Sequence, residues 1–403
     1  MTYPWGMSSR PHLTDDERRA RLVARHHLAR TAPDVVAAVR GVVAQHSSDP
    51  ITPHLAAWAR VPGLTTADVE RALYGDRALW RLHAMRRTLF VVPTEDAPIF
   101  DAAAGRDVAV KERKRIEGWL AAALPDETDL RRWLDAVEAR VEALLDDGVE
   151  RRTAELSAAI PELATALTMG SGKWRTEAPL ASRLMMVLAL EGRVARTHPA
   201  GSWRSSQYHW TSGARFCGRD GRFGRARPLD PAAARAEIAR RYLATHSPAT
   251  ALDLRWWTGW TAKQATAALA AVRATEVGLD GGGTGFVLAG DVGATATARH
   301  VALLPGLDST TMGWKGRDWY LGSHAGPLFD TNGNAGPTVW VDGHVVGGWG
   351  QRPDGEVVHR LLEDVGAEAA ARVGAEAAAL TAWMAGTSAT PRFRTPLERE
   401  LSS

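Results

Sequence analysis

A short polar cluster, Gln45-His46-Ser47-Ser48-Asp49, carries the side chains of this sequence that are best suited to activating water. The amide of Gln45 can position a water molecule because it both donates and accepts hydrogen bonds. The carboxylate of Asp49 can take a proton from that water, and so can a neutral His46 imidazole near pH 7. Two serines and an aspartate before a proline are equally typical of a capped turn after a helix, so a purely structural role stays open.

Two further stretches combine arginine with tryptophan or small polar residues beside strand-like segments. Such residues suit contacts with a sugar-phosphate backbone, because arginine binds phosphate through two parallel hydrogen bonds. The candidates for backbone contact are Arg86, Arg87, Trp203, Arg204, Ser205 and Gln207. The alternative for the first two is that they fix a hairpin to the core, and for Trp203 we favour packing beneath a hairpin over insertion into a nucleic acid.

The charge of the chain is nearly balanced overall but unevenly distributed. The net charge is +3, yet residues 201–300 hold 13 basic and seven acidic groups, while residues 301–403 hold eight basic and 12 acidic groups. A basic central region fits a polyanion as partner. Arginine enrichment is also typical of a high-GC genome, so the composition alone leaves both explanations open.

The composition also excludes several classes of protein. The chain has 403 residues, of which 45% are hydrophobic, and its longest apolar run, about Leu184–Leu190, is too short to cross a membrane. Its single cysteine, Cys217, permits no internal disulfide and no multi-cysteine zinc site. The first residues lack the pattern of a secretory signal. We therefore expect a cytoplasmic protein without a metal or cofactor.

Helices followed by a short strand pair occur three times, which is the pattern of an α+β fold with tandem winged-helix domains and a C-terminal β-rich region, although other small α+β units have the same periodicity. The predicted segments are winged helix 1 (14–95), a helical connector (96–125), winged helix 2 (126–212), a linker (213–229), winged helix 3 (230–297) and a β-rich region with a terminal helix (298–385). We expect a helix from Asp34 to about Gln45, a solvated helix face at Lys111–Arg115 and a frayed end from about Thr387. The basic residues assigned to the linker are Arg215, Arg219, Arg222, Arg225 and Arg227.

Seven short stretches carry a resemblance to a known family. They are Ser48-Asp-Pro-Ile-Thr-Pro53, Trp58-Ala-Arg60, Arg86-Arg-Thr-Leu-Phe-Val-Val-Pro93, Gly201-Ser-Trp-Arg-Ser205, Leu304-Pro-Gly-Leu-Asp308, Met312-Gly-Trp314 and Asn334-Ala-Gly-Pro-Thr-Val-Trp340. In this order, over roughly residues 14–360, they resemble the winged-helix DNA glycosylase family of the AlkZ and YcaQ type. The resemblance implies tandem winged helices, DNA binding and, for several members, removal of alkylated or crosslinked bases.

The resemblance also implies a catalytic motif of glutamine, an apolar residue, and then glutamine or aspartate, just before an acidic residue and a proline. Anchoring on Asp49 and Pro50 puts the first and third positions at His46 and Ser48. A shift by one residue puts them at Gln45 and Ser47. Neither register supplies glutamine or aspartate at the third position, and the adjacent Asp49 is the nearest substitute.

The sequence thus predicts a monomeric protein that binds double-stranded DNA, with neither a membrane nor a metal among its partners. Within that prediction, the resemblance implies a monofunctional DNA glycosylase that excises alkylated or bulky-adduct purines. The alternatives are a non-enzymatic DNA-binding or regulatory protein on the same scaffold, and an interaction scaffold without affinity for DNA.

Overall fold

Helices and mostly antiparallel strands alternate along the computed structural model, which describes residues 10–218, 223–224, 227–296 and 299–403. This mixture confirms the α+β class in its coarse form. Contacts divide the chain into two units: unit 1 holds the chain up to 43 together with 58–63 and 236–403, and unit 2 holds 44–57 and 64–235. The six predicted segments stay a prediction. Among the described residues, no helix is both long and apolar enough to cross a membrane.

The amino-terminal elements begin with a capping box at Thr14, whose side chain and backbone exchange hydrogen bonds with Glu17. They are β1 (His12–Leu13), α1 (Asp15–Arg25), α2 (Val35–Gly41), β2 (Gln45–His46), α3 (Thr52–Trp58), α4 (Thr66–Glu70), β3 (Leu79–His83) and β4 (Leu89–Pro93). The expected continuation of α2 to Gln45 is wrong. The helix ends at Gly41, since Val43 adopts a left-handed backbone with φ of 65°.

Unit 2 contains two three-stranded antiparallel sheets with the same strand order. Its further elements are α5 (Ala97–Phe100), α6 (Arg106–Ala123), α7 (Leu130–Asp146), β5 (Arg151–Arg152), α8 (Thr153–Ala159), β6 (Ala166–Met169), β7 (Thr176–Pro179), α9 (Leu180–Leu190), β8 (Val194–Pro199), β9 (Tyr208–Ser212) and α10 (Gly213–Cys217). The sheets run β2-β4-β3 and β5-β9-β8, so in each the first strand pairs with the second strand of the hairpin. A shared core of leucines and valines from α7 and α9 packs beneath the second sheet.

The charge run at Lys111–Arg115 is expected to form a solvated helix face, and the structure corrects this expectation in part. Glu112 is buried and forms ion pairs with Arg87 and Arg115, while Arg113 bridges Glu138 and Glu191 at 2.6 and 2.8 Å. The run therefore ties α6 to the β3–β4 turn and to α7.

The expected linker begins with α10 rather than with irregular chain. The Arg215 Nε donates to the carbonyl oxygen of Asp146 at 2.6 Å, which ties this helix to the end of α7. Arg219, Arg222 and Arg225 lie outside the described residues, so the expected basic loop stays a prediction.

Unit 1 pairs helices with a short hairpin and adds a four-stranded sheet. Its elements after residue 230 are α11 (Pro231–His246), α12 (Ala251–Thr258), α13 (Ala262–Ala271), β10 (Thr275–Leu279), β11 (Thr284–Val287), β12 (Val301–Leu304), α14 (Asp318–Leu321), α15 (Ala325–Leu328), β13 (Thr338–Val341), β14 (His344–Gln351), β15 (Val357–Leu361), α16 (Ala367–Met384) and α17 (Pro396–Leu401). The sheet runs β12-β13-β14-β15. Asp342 and Gly343 form the tight turn between β13 and β14, as an Asp-Gly pair favours.

The expected frayed end from about Thr387 is wrong. Helix α17 packs on β14, where a Cβ on Gly348 would lie only 2.9 Å from a methyl carbon of Leu397. Glycine in the strand lets the helix approach closely, and Leu397 is buried as a result.

A buried ion pair organises the core of unit 1. The Arg60 guanidinium donates to both carboxylate oxygens of Asp308 at 2.9 and 2.7 Å, and also to the hydroxyl of Thr310 and the carbonyl of His26. Both charged side chains are almost wholly buried, at 1% and 0% exposure. Because every charge here meets a partner, the pair links the amino-terminal segment to the loop after β12.

Replacing Asp308 by asparagine should sharply destabilise unit 1, because it leaves the buried Arg60 charge without its anion. We expect the free energy of unfolding, measured by urea titration, to fall by about 3–5 kcal/mol. The control is Glu356→Gln in the half-exposed pair that Glu356 forms with Arg352 at 2.6 Å, with an expected loss below about 1 kcal/mol. Equal losses in the two variants would contradict the assignment.

Two buried histidines lie side by side in the same core. The rings of His26 and His246 are 4.6 Å apart, and Trp314 and Tyr242 stack against them. Burial lowers the pKa of His246 to about 3 and lowers that of His26 well below its usual value, an effect that the neighbouring His246 reinforces. Both imidazoles are therefore neutral in the folded protein at neutral pH.

Acid should destabilise the folded protein, because these two buried histidines bind protons only when the chain unfolds. Between the ordinary pKa of 6.5 and the lowered one, the unfolded chain binds protons that the folded chain does not, so the free energy of unfolding falls as the pH falls. From pH 6.5 to pH 5 we expect a loss of about 2 kcal/mol for His246 alone. Urea titrations at both pH values test this, and His246→Gln should remove its share; equal pH dependence in both proteins would refute it.

Candidate active site

The register of the first sheet decides which residues of the polar cluster share a surface. Gln45 pairs with Val91, and Val91 pairs with Arg81. The Ser47 amide donates to the carbonyl of Leu89 at 2.8 Å, and Leu89 pairs with His83. Side chains that lie directly opposite each other in a sheet point to the same face. One face therefore carries two rows, Gln45–Val91–Arg81 and Ser47–Leu89–His83.

His46 lies on the opposite face. It pairs with Phe90, and the two rings are 5.4 Å apart. Its Nδ1 accepts a long hydrogen bond of 3.4 Å from the Ser48 amide, which belongs to the turn that follows. The structure therefore brings Gln45 and Ser47 together and separates His46 from them.

Asp49 begins the turn that leads into α3. Its Oδ1 accepts a hydrogen bond from the Ile51 amide at 3.2 Å, and its side chain is buried, with the residue 3% exposed. Gln45 is equally buried at 3%, and its amide makes one long contact of 3.4 Å to the carbonyl of His46. Both side chains are therefore buried, and the Asp49 carboxylate caps the turn that leads into α3.

Beside the Gln45 face, unit 2 buries a group of polar side chains that the described residues do not satisfy. The atoms without a hydrogen-bond partner there are Ser47 Oγ, His54 Nδ1 and Nε2, Tyr74 Oη, Arg81 Nε and Nη2, His83 Nδ1, and Arg196 Nη1. Burial, reinforced by the nearby Arg81 charge, lowers the pKa of His54 to about 3. Buried polar groups usually have partners, so such a concentration indicates a site for a ligand.

The β8–β9 hairpin supplies the other side of this group. Arg196 in β8 lies over the Trp210 ring at 4.4 Å, and burial lowers its pKa to about 10. The Tyr208 hydroxyl accepts a hydrogen bond from Arg81, whose guanidinium lies 4.7 Å from the tyrosine ring. The first and second hairpins therefore jointly build one basic, buried cluster.

Trp203 covers His54. Its ring lies 4.8 Å from the imidazole, and the residue is only 8% exposed. This is the packed position that the sequence favours over insertion into a nucleic acid. Trp203 lies in the loop between β8 and β9, between the exposed residues Ser202 and Arg204.

The remaining predicted contact residues lie at hairpin ends. Arg86 and Arg87 form the exposed β3–β4 turn, with left-handed φ values of 54° and 61°. Arg87 approaches Glu112 at 3.3 Å, so part of its charge is already balanced. In the β8–β9 loop, Arg204 and Gln207 are exposed, and the Ser205 hydroxyl accepts from the Gln207 amide at 3.1 Å.

Sequence reasoning missed the residues that form the basic cluster, namely His54, Tyr74, Arg81, His83, Arg196 and Tyr208. A usable signal lies in strand β3, where arginine and histidine alternate with leucine and tryptophan in Leu79-Trp80-Arg81-Leu82-His83. Such alternation normally marks a strand with one solvated face. Here both faces are largely buried, which only the packed fold reveals. Among the described residues, no group of three or more histidine, cysteine or acidic side chains is placed to hold a metal ion.

Removing the Trp203 ring should raise the pKa of His54. In Trp203→Ala, water reaches the imidazole, and we expect its pKa to rise from about 3 by more than about one unit. An NMR titration of the histidine ring protons measures this, with His54→Gln to assign the resonance. Trp203→Phe retains an aromatic cover and should keep the pKa low. An unchanged pKa in the alanine variant would mean that Trp203 does not shield His54.

Comparisons with known proteins agree with this fold. The model of the family described as "DNA glycosylase AlkZ-like" matches residues 39–383. Among solved structures, the Streptomyces sahachiroi DNA glycosylase AlkZ is similar, with a TM-score of 0.69 and 22% sequence identity over 94% of this chain and 99% of that chain. A comparison with curated proteins gives no match. The resemblance seen in the sequence is confirmed, and the protein belongs to the AlkZ-like DNA glycosylase family.

Proposed function

We propose that this protein is a DNA glycosylase that hydrolyses the bond between the sugar and an alkylated or bulky-adduct purine. Family membership supports the reaction class. The observation that carries the assignment of the site is the sheet register, which sets Gln45 and Ser47 beside a buried basic cluster. A purine alkylated at N7 carries a positive charge that already weakens this bond, so the enzyme has little bond breaking to assist.

We assign the motif to the register Gln45-His46-Ser47. The Gln45 amide holds the attacking water, and the Ser47 hydroxyl on the same face gives it a second hydrogen-bond partner. The water oxygen bonds to C1′ of the sugar as the C1′–N9 bond breaks, and its electron pair leaves with the base. Asp49 accepts the proton of the water and balances the charge on the sugar.

The repeated topology supports tandem winged helices. In two places a strand between helices, β2 or β5, pairs with the second strand of the following hairpin. The third repeat has a single bridge between Ala249 and Phe286, with Ala249 between α11 and α12 and Phe286 in β11. A winged helix has this order, in which the wing is the hairpin and a helix enters a groove of the DNA.

DNA contact is assigned to the exposed hairpin ends of unit 2. Arg86 and Arg87 bind phosphates from the first hairpin, and Arg204, Ser205 and Gln207 contact the backbone from the second. Trp203 supports the second hairpin from beneath through its contact with His54. These contacts are independent of base sequence, which suits an enzyme that must recognise damage in any sequence context.

A non-enzymatic DNA-binding protein on the same scaffold is the second candidate. One observation favours it: Gln45 and Asp49 are each only 3% exposed, and Asp49 caps the turn before α3. If these roles are purely structural, the protein binds DNA without cutting a bond.

Release of free base separates the two candidates. The wild-type chain should release 7-methylguanine from methylated duplex DNA, detected by chromatography. Gln45→Met keeps the buried volume but loses the amide, and Asp49→Asn keeps a capping oxygen but loses the carboxylate. Each should lower the single-turnover rate by about 10²-fold or more.

The matched control for these variants is Arg352→Ala, an exposed change in the β14–β15 turn. If no base leaves methylated DNA or bulkier adducts, the protein is not a glycosylase. If His46→Phe and Ser48→Ala abolish release while Gln45→Met does not, the motif has the other register.

A further inference from the structure

We propose that Arg81 and Arg196 form a binding site for one phosphate group, held inside unit 2 beside the Gln45 face. The ligand class is a tetrahedral oxyanion, delivered either as a phosphodiester of DNA or as free phosphate. The proposal deepens the proposed function and rests on it only for the DNA source. The site uses residues that neither the family motif nor the hairpin ends contain.

Burial of unsatisfied charge is the first reason. Arg81 is 2% and Arg196 9% exposed. Arg81 makes one hydrogen bond, to the neutral hydroxyl of Tyr208, and its Nε and Nη2 have no partner among the described residues. The Nη1 of Arg196 likewise has none there. A guanidinium presents five N–H donors and cannot lose its proton in a protein, so these donors call for an acceptor.

The absence of a counter-ion is the second reason. Within the described part of the chain, neither Arg81 nor Arg196 forms an ion pair with a carboxylate. The two arginines also lie close enough together for the charge of Arg81 to lower the pKa of Arg196. Buried charges are normally paired. Arg60 in unit 1 is equally buried and has Asp308 as a bidentate partner.

The surrounding groups suit a phosphate rather than a carboxylate. The neutral imidazole of His83 can donate one hydrogen bond, and the hydroxyls of Tyr74 and Ser47 can donate others. A tetrahedral oxyanion has enough acceptor sites for two guanidiniums and these neutral donors, whereas a carboxylate has only two oxygens. In the described structure, no acidic side chain hydrogen-bonds to any of these groups, although the Glu70 carboxylate is near enough to Tyr74 to help raise the pKa of that hydroxyl.

The position of Arg81 relative to Gln45 indicates how the phosphate site would serve the proposed reaction. Gln45 and Arg81 lie one strand apart on either side of Val91, which places them about 10 Å from each other. A sugar lies closer than this to the phosphates next to it, and the long side chains of Gln45 and Arg81, which extend from the same face of the sheet, can span the remainder. Trp203, in the loop between the exposed Ser202 and Arg204, covers His54 and is the side chain that a phosphodiester would displace on entry.

Calorimetric titration of the full chain with inorganic phosphate, at constant ionic strength set by chloride, tests the site directly. We expect one phosphate per wild-type chain and at least a tenfold weaker affinity in Arg81→Met and in Arg196→Met. Methionine retains the apolar stem of arginine but removes its charge. The variant Arg196→Lys keeps the charge and should bind phosphate with intermediate affinity. It also provides a test if a methionine variant fails to fold. The control is Arg131→Met, an exposed arginine on α7.

Salt-dependent binding to duplex DNA separates the two sources of the phosphate. If a DNA phosphodiester enters the site, the slope of log affinity against log salt should fall by about one in each methionine variant. A duplex with a single neutral methylphosphonate beside the lesion should then bind wild type more weakly and leave the variants unaffected. Phosphate binding without a change in slope assigns the site to a free anion.

The proposal is overturned if both methionine variants keep the wild-type affinity for phosphate and the wild-type salt dependence of DNA binding. Failure of the proposed function looks different, because base release is a separate readout. A protein that binds phosphate through these arginines but releases no base would retain the site and lose the enzymatic assignment. If the protein releases base, but its methionine variants keep the wild-type phosphate affinity and salt slope, the assigned activity stands and the phosphate site does not.

Discussion

A guanidinium that is removed from water must find an anion or a full set of acceptors, and this requirement governs both units of the protein. In unit 1 the requirement is met within the chain, since Asp308 receives two hydrogen bonds from Arg60 and Thr310 supplies a third acceptor. The loop that carries Asp308 is fixed as a consequence. Its backbone turns back on itself, because the Thr310 amide also donates to Asp308. In unit 2 the described residues leave the same requirement open at Arg81 and Arg196.

The contrast between the units distinguishes residues that shape the fold from residues to which we assign a ligand. Leu304-Pro-Gly-Leu-Asp308 and Trp58-Ala-Arg60 both contribute to the resemblance to the family, and their buried ion pair explains them as fold-forming. Met312-Gly-Trp314 has the same explanation, as Trp314 stacks on the two buried histidines. Three of the seven stretches that carry the resemblance therefore serve the packing of unit 1.

Local signals in the sequence predicted local structure well. The Thr14–Glu17 capping box, the Asp342-Gly343 turn and helices α11, α12 and α13 follow from side-chain capping and turn chemistry. Contacts distant in sequence were not predictable. Strand β2 exists only because β4 pairs with it, and α17 is ordered only because the glycines of β14 admit it.

The same distinction applies to the candidate site. Its polar residues around Gln45 were visible in the sequence, since amide, imidazole and carboxylate stand within five consecutive positions. Which of them share a face depends on a register of three strands, and a shift by one residue moves every side chain to the other face. Arg81 and Arg196 were invisible, because an arginine in a short strand gives no sign that it is buried. Their pairing comes from two hairpins more than a hundred residues apart.

The departure from the family motif is easier to understand once electrostatics is considered. In the proposed reaction, a purine that is already cationic departs as a neutral base, so the charge that needs stabilisation develops on the sugar. Two guanidiniums near Gln45 would oppose that charge, and at about 10 Å in a poorly hydrated interior the effect is not negligible. A bound phosphate weakens this opposition, because a phosphodiester offsets one of the two positive charges and a phosphate dianion offsets both. With an anion held there, the third motif position need only orient water, and the hydroxyl of Ser47 is adequate for that task.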